Sequence, residues 1–107
     1  MAERENPKGV KLLMTWDIMP GREQDFFEFN VREFLPTMQA MGLEPSDAWF
    51  TVFGRQPQFL IAAQMDSQAA MEQLLGTPEW ANLTGRLLDY VVNFQLKIVP
   101  ARSRFQM

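Results

Sequence analysis

One acidic side chain is a candidate for catalysis because of its position in a run of alternating apolar and polar residues. Asp17 lies near the end of that run, on the side that also carries Thr15. A carboxylate enclosed by mostly apolar groups can act as a general base, so Asp17 is the predicted catalytic residue. The alternative interpretation is a strand-end carboxylate that is solvated or caps the following helix through Gly21 and Arg22.

Six further residues are candidates for binding a small organic ligand, because ligand pockets combine apolar walls with a few fixed polar groups. They are Thr15, Trp49, Gln64, Asn93, Gln95 and Lys97. Their hydroxyl and amide groups could instead face water or hydrogen-bond across a subunit interface. Lys97 could hold an anionic ligand or pair with Asp17, although a lysine on an outer strand is more often solvated and discourages edge pairing. Trp49 could equally be a pocket wall or a dimer contact.

Two missing residue types exclude several kinds of site. The chain has no cysteine, which excludes disulfides, thiolate nucleophiles and thiolate metal sites. It has no histidine either, so the commonest general base, metal ligand and haem ligand are absent. We therefore expect no cofactor and no metal. The net charge of −3, with ten basic residues scattered among thirteen acidic ones, argues against nucleic-acid binding.

Length and composition favour one folded domain. The chain has 107 residues, of which 47% are hydrophobic, which is enough for one packed core. We expect a frayed tail at 1–9, a domain at 10–100 and a C-terminal tail at 101–107. The charged N-terminus does not resemble a signal peptide, and no apolar run approaches the ~20 residues that span a bilayer. These features predict a cytoplasmic protein with no membrane contact.

The periodicity of apolar residues predicts the order strand, helix, strand, strand, broken helix, strand. Strands are expected at 10–19, 48–53, 58–65 and 92–99, helices at 22–41, 67–75 and 77–91, a loop at 43–47 and a hairpin turn at 54–57. Connection rules place the first and last strands side by side. The prediction is a ferredoxin-like α+β fold, β-α-β-β-α-β, with a four-stranded antiparallel sheet and helices on one face.

Two details of the helices can be predicted as well. The apolar stripe of the first helix is expected at Phe27, Val31, Phe34, Met38 and Met41. Pro36 cannot donate a helical hydrogen bond, so a kink or break is expected near Leu35. In the second helical region, Ser67 and Thr77 are at positions typical of N-caps.

The face of the sheet away from the helices needs a cover. The residues expected under the helices are Leu12, Met14, Trp16 and Ile18 on the first strand and Val92, Phe94, Leu96 and Ile98 on the last. The opposite face is expected to carry Thr15 and Asp17 from the first strand and Asn93, Gln95 and Lys97 from the last. It would also expose four large apolar residues, Leu13, Trp49, Phe53 and Leu60. Aromatic side chains bury about 150–250 Å² each, so this patch is larger than most soluble monomers expose. We expect a second copy to cover it.

Several short motifs accompany this order of elements. They are Phe34-Leu35-Pro36 followed by Met41-Gly42-Leu43, Thr77-Pro78-Glu79-Trp80 at the start of the second helix, and the stretch from Asp89-Tyr90-Val91 to Lys97-Ile98-Val99. With them the chain resembles the dimeric α/β-barrel superfamily, which includes antibiotic-biosynthesis-type monooxygenases, stress-responsive barrel proteins and NIPSNAP-like proteins. The resemblance implies ferredoxin-like subunits whose two sheets face each other and enclose a cavity.

The resemblance implies function less closely than fold. Haem-using members of the superfamily rely on a histidine ligand, which this chain lacks. Cofactor-free monooxygenase members use polar and aromatic cavity residues without one fixed motif. One hypothesis is a small-molecule-binding homodimer, with cofactor-independent monooxygenase-like or isomerase-like activity based on Asp17. The alternative is a non-catalytic interaction or ligand-carrier module.

Overall fold

Strict alternation along the first strand gives the sheet one covered face and one open face. The computed structural model describes residues 9–51 and 58–101. Val10–Ile18 form β1, in which every second residue from Val10 onward is buried and those between are half-buried. Several predicted features lie outside the described residues: Phe53, the turn at 54–57, and both tails except for Gly9 and Ala101.

The remaining elements follow in the predicted order. They are α1 Glu23–Phe29, a π-helical segment Asn30–Phe34, α2 Leu35–Ala40, β2 Glu44–Phe50, β3 Phe59–Met65, α3 Gln68–Leu75, α4 Pro78–Leu87 and β4 Val91–Pro100. The four strands form one antiparallel sheet in the order β2-β3-β1-β4. The predicted ferredoxin-like α+β fold is therefore confirmed, with β1 inside the sheet beside β4. None of the helices in the described ranges is long and apolar enough to cross a membrane.

The first helix accommodates Pro36 through a π-helical segment, and it continues without a break. The π-helical segment directly precedes α2, and Pro36 takes one of the first positions of α2, where its missing N–H costs least. Each π turn holds more residues than an α turn, and one row of buried side chains recurs every four residues. This row consists of Phe26, Asn30, Phe34 and Met38, and Phe29 is buried beside it. The predicted stripe is therefore wrong at Phe27 and Val31, which are exposed.

β2 begins earlier than predicted because the edge of a sheet tolerates proline. The expected loop at 43–47 is wrong, since the strand starts at Glu44 and includes Pro45. The pairing shifts between Pro45 and Asp47, and Ser46 is the extra residue of this bulge. The Ser46 hydroxyl donates to the carbonyl oxygen of Ala62 at 3.3 Å, which keeps the bulge attached to β3.

At the start of β4 a second bulge changes which residues face the helices, so the predicted alternation does not hold there. Asn93 has a positive φ of 58°, and the pairing with β1 shifts between Thr15 and Asp17. Val91 is therefore buried under the helices, whereas Val92 is 40% exposed on the open face. Val92 was expected under the helices, and Val91 was expected to belong to the preceding helix. Both expectations are wrong because α4 ends at Leu87 and the bulge shifts the alternation.

The core lies between the helices and the covered face, with Trp16 at its centre. The Trp16 ring contacts four other aromatic rings at centroid distances of 5.4 to 6.0 Å, those of Phe26, Phe34, Phe59 and Phe94. The predicted caps close the helices at the edge of this core. Ser67 accepts from the backbone N–H of Ala70, and Thr77 accepts from that of Trp80, each at 3.1 Å.

Candidate ligand-binding face

The open side of the sheet, which we call the outer face, is built from cross-strand rows. One row crosses all four strands and consists of Trp49, Leu60, Thr15 and Gln95. The next row consists of Asp47, Ala62, Leu13 and Lys97, and a third of Glu44, Gln64, Lys11 and Val99. The phase of β3, which the sequence alone left open, places Leu60, Ala62 and Gln64 opposite the helices. Directly opposite residues have Cβ atoms about 5 Å apart, so each row is continuous.

A shallow depression of about 280 Å³ lies where the first two rows meet β4. Its lining combines apolar, hydroxyl, amide and ammonium groups, from Leu13, Thr15, Leu60, Gln95, Leu96 and Lys97. Three of the residues predicted to bind a ligand, Thr15, Gln95 and Lys97, are therefore brought together. Trp49 and Gln64 lie on the same face but outside the depression, at β2 and in the third row.

Leu96 is a lining residue that the sequence pattern assigned to the helix-facing side. Its neighbour on β1 is Met14, which is fully buried, yet Leu96 itself is 39% exposed. The difference arises because β4 is the edge strand of the sheet, with no further strand beside it among the residues that the structure describes. Edge position was the signal available in the sequence, since the last strand of this order of elements falls at the end of the sheet.

Asp17 lies at one end of the outer face, where it connects three strands. One carboxylate oxygen accepts from the backbone N–H of Gln58 at 3.0 Å, and the other accepts from the side-chain amide of Asn93 at 2.9 Å. The Gln58 side chain returns a bond, because its Oε1 accepts from the backbone N–H of Ile18 at 2.7 Å. These bonds join the start of β3 and the β4 bulge to β1.

The hydrogen bonds of Asp17 can be compared with the partners that the sequence suggested. Asp17 does not cap the first helix, because its oxygens accept from Gln58 and Asn93 and the backbone N–H of Arg22 donates to the carbonyl oxygen of Met19. Asn93, which is predicted to contact a ligand, donates its side-chain amide to Asp17 from the bulge. The suggested pairing of Lys97 with Asp17 is not formed within the described ranges. Asp17 remains half-buried and lies two residues along β1 from Thr15, about 7 Å away.

The charges of the outer face are unevenly compensated. The Lys11 ammonium lies 3.8 Å from the Asp47 carboxylate. Within the part of the chain that the structure describes, Lys97 has no ion pair and no hydrogen bond. The nearest residue across the strands is Leu13, which offers no acceptor from its side chain. The same described residues contain no cluster of three acidic side chains suited to a metal ion.

Comparison with known proteins finds solved structures of similar fold. No protein-family profile and no curated protein matches the chain. An uncharacterised NIPSNAP-like domain protein from Burkholderia xenovorans matches with a TM-score of 0.69 and 17% identity, over 94% of this chain and 91% of its own. A dabb family protein with a ferredoxin-like fold from Mesorhizobium loti matches with a TM-score of 0.63 and 13% identity, over 85% and 94%.

A third solved structure bears on assembly. A protein of unknown function from Bacteroides fragilis, described as dimeric with a ferredoxin-like fold, matches with a TM-score of 0.61 and 9% identity, over 86% of this chain and 95% of its own. At these identities the likenesses establish the fold alone. They confirm the ferredoxin-like fold that the order of elements implied.

Proposed function

We propose that this chain forms a homodimer through the outer face, and that the dimer encloses a cavity that binds a small organic molecule. The observation that carries the proposal is the exposure of apolar groups around the depression. Trp49 is 67% exposed and lies directly opposite half-buried Leu60, and Leu96 in the lining of the depression is 39% exposed. Contiguous apolar surface of this kind marks an interaction site in soluble proteins.

The area of the outer face fits a specific dimer. Four strands at about 4.8 Å spacing, with nine residues at about 3.4 Å each in β1, cover roughly 600 Å². Two such faces bury about 1,200 Å², which is the lower limit of stable protein–protein interfaces. Trp49 adds an aromatic anchor of the type that contributes most at interfaces. The Bacteroides fragilis protein, described as dimeric, supports the same arrangement by fold.

The depression supports ligand binding because the second copy would leave space there. Its lining combines apolar walls with a hydroxyl, an amide and an ammonium group, which is the usual composition of a small-molecule site. Two facing depressions of about 280 Å³ each would enclose a volume suited to a compact organic ligand. We also propose a cytoplasmic location, which the absence of cysteine supports.

A cofactor-independent monooxygenase-like or isomerase-like activity is the second candidate. It is favoured by the position of Asp17, which is half-buried on the outer face about 7 Å from Thr15. The hydrogen bonds from Gln58 and Asn93 favour a structural role for this carboxylate over a role as base. We therefore place binding, with or without transport of the ligand, ahead of catalysis.

Native mass spectrometry of protein purified gently from cells tests both parts of the proposal. We expect a dimer that carries a small molecule in excess of buffer components. The matched control is Leu60→Arg, which places a charge in the first row and should yield a monomer without the molecule. A wild-type monomer would refute the assembly, and a dimer that never retains a molecule would favour the interaction module.

A further inference from the structure

We infer that the ligand of this cavity is an organic monocarboxylate, whose carboxylate binds Lys97 and whose apolar body packs on Leu13 and Leu60. This inference rests on the proposed dimer and its binding function, and it specifies the class of ligand.

Lys97 is the cation of the outer face that lacks compensation. Lys11 lies beside Asp47, and the oxygens of Asp17 accept bonds from amide donors. Within the described ranges no carboxylate lies within ion-pair distance of the Lys97 ammonium. Glu44 is the other acidic residue of the rows, but it lies on β2, at the opposite edge of the sheet from β4.

Covering the outer face with a second copy would remove water from the unpaired Lys97 ammonium, which costs free energy. In the single chain Lys97 is exposed and solvated. A second copy on the face would remove much of that water, and an ammonium group deprived of water needs an anionic partner. A neutral ligand would leave the charge unpaired, whereas an anion bound beside Lys97 would compensate it. Ligand binding and dimerisation then stabilise each other, because the anion binds the dimer in preference to the single chain.

The neighbours of Lys97 favour a carboxylate over a phosphate. Gln95 lies two residues along β4, about 7 Å away, and Thr15 lies directly across from Gln95. An amide and a hydroxyl can each donate one hydrogen bond to a carboxylate oxygen, and the lysine supplies one positive charge. A phosphate dianion would need further cations, yet no arginine lines the depression. The remaining lining is leucine, which suits an apolar body.

A matched pair of probes tests the inference. The probes are 2-naphthoate and 2-naphthalenemethanol, which share an aromatic body and differ in the charge of the head group. Binding of each to the full chain is measured by isothermal titration calorimetry, for the wild type, Lys97→Met and Lys97→Arg. We expect the wild type to bind the carboxylate at least about tenfold more tightly than the alcohol, the worth of one charge-assisted hydrogen bond.

The variants separate the possible roles of the lysine. Lys97→Met should remain dimeric and lose the preference for the carboxylate, while Lys97→Arg should keep it. Equal affinities of the wild type for both probes would overturn the inference and leave the proposed binding function intact. Binding of neither probe by a dimeric wild type would count against both. Dissociation of the dimer in both Lys97→Met and Glu44→Gln would show an ion pair between subunits and would overturn the inference.

Discussion

Replacing Asp17 with alanine should destabilise the fold, because its carboxylate joins three strands at one end of the sheet. The substitution removes the acceptor for the backbone N–H of Gln58 and for the side-chain amide of Asn93. It also frees Gln58, whose Oε1 accepts from Ile18. The effect should therefore appear as a loss of stability whether or not the protein catalyses a reaction.

The magnitude follows from the number and type of these bonds. Hydrogen bonds to a charged group contribute about 1.5–3 kcal/mol each, and the half-buried position of Asp17 favours the lower value. Loss of both bonds should lower the free energy of unfolding by about 3 kcal/mol. For a domain of this size that corresponds to a melting temperature about 12–24 °C lower. Asp17→Asn keeps one acceptor oxygen and should cost about half as much.

Urea denaturation at one fixed protein concentration measures the effect, because the stability of a dimer depends on concentration. A double-mutant cycle with Asn93→Gly isolates the bond to the bulge. Glycine is the suitable partner substitution since it accepts the φ of 58° at this position without strain. We expect a coupling energy of about 1 kcal/mol. A loss below about 1 kcal/mol for Asp17→Ala, or no coupling, would refute the structural role of this carboxylate.

Other predictions concern the helices. Asn30 is 7% exposed, and its Oδ1 has no partner among the described residues. Asn30→Leu should therefore raise the free energy of unfolding, measured by urea denaturation, by about 1 kcal/mol. A decrease of about 1 kcal/mol would show that the amide is hydrogen-bonded in the native protein. Two glycine-to-alanine substitutions should have opposite signs by the same measurement. Gly42 has a φ of +90°, so Gly42→Ala should cost about 1 kcal/mol. Gly85 lies within α4 with open space around its Cα, so Gly85→Ala should stabilise by about 0.5–1 kcal/mol. Equal effects at the two positions would contradict the backbone assignment.

The parts of the fold that were predictable depend on local rules. Period-two alternation along β1 placed Trp16 in the core, because a strand has only two faces. Ser67 and Thr77 marked helix starts, since each can satisfy a backbone N–H within its own turn. Where one local preference dominates, the residue type is a sufficient guide.

The errors occurred where tertiary structure changed the period. The run from Val92 to Ile98 alternates without interruption in sequence, so the bulge at Asn93 left no trace in hydrophobicity. Its one signal was the asparagine itself, a residue that tolerates positive φ better than most. The π-helical segment likewise shifted the buried stripe of the first helix from Phe27 to Phe26.

The candidate site was predictable in its face but not in its contacts. Alternation alone put Thr15, Gln95 and Lys97 on one side of the sheet, where the structure brings them together. The partners of Asp17 were beyond sequence reasoning, because Gln58 and Asn93 are 41 and 76 residues away along the chain. Such bonds depend on strand register, which is fixed only when the whole sheet forms.

Light scattering of the full chain at micromolar concentration measures self-association through the outer face. The matched variants are Leu60→Arg on that face and Leu88→Arg in the turn after α4, where the leucine is 47% exposed. We expect twice the chain mass of 12.4 kDa for the wild type and for Leu88→Arg, and the single mass for Leu60→Arg. A monomeric wild type, or a Leu60→Arg variant that stays dimeric, would contradict self-association through this face.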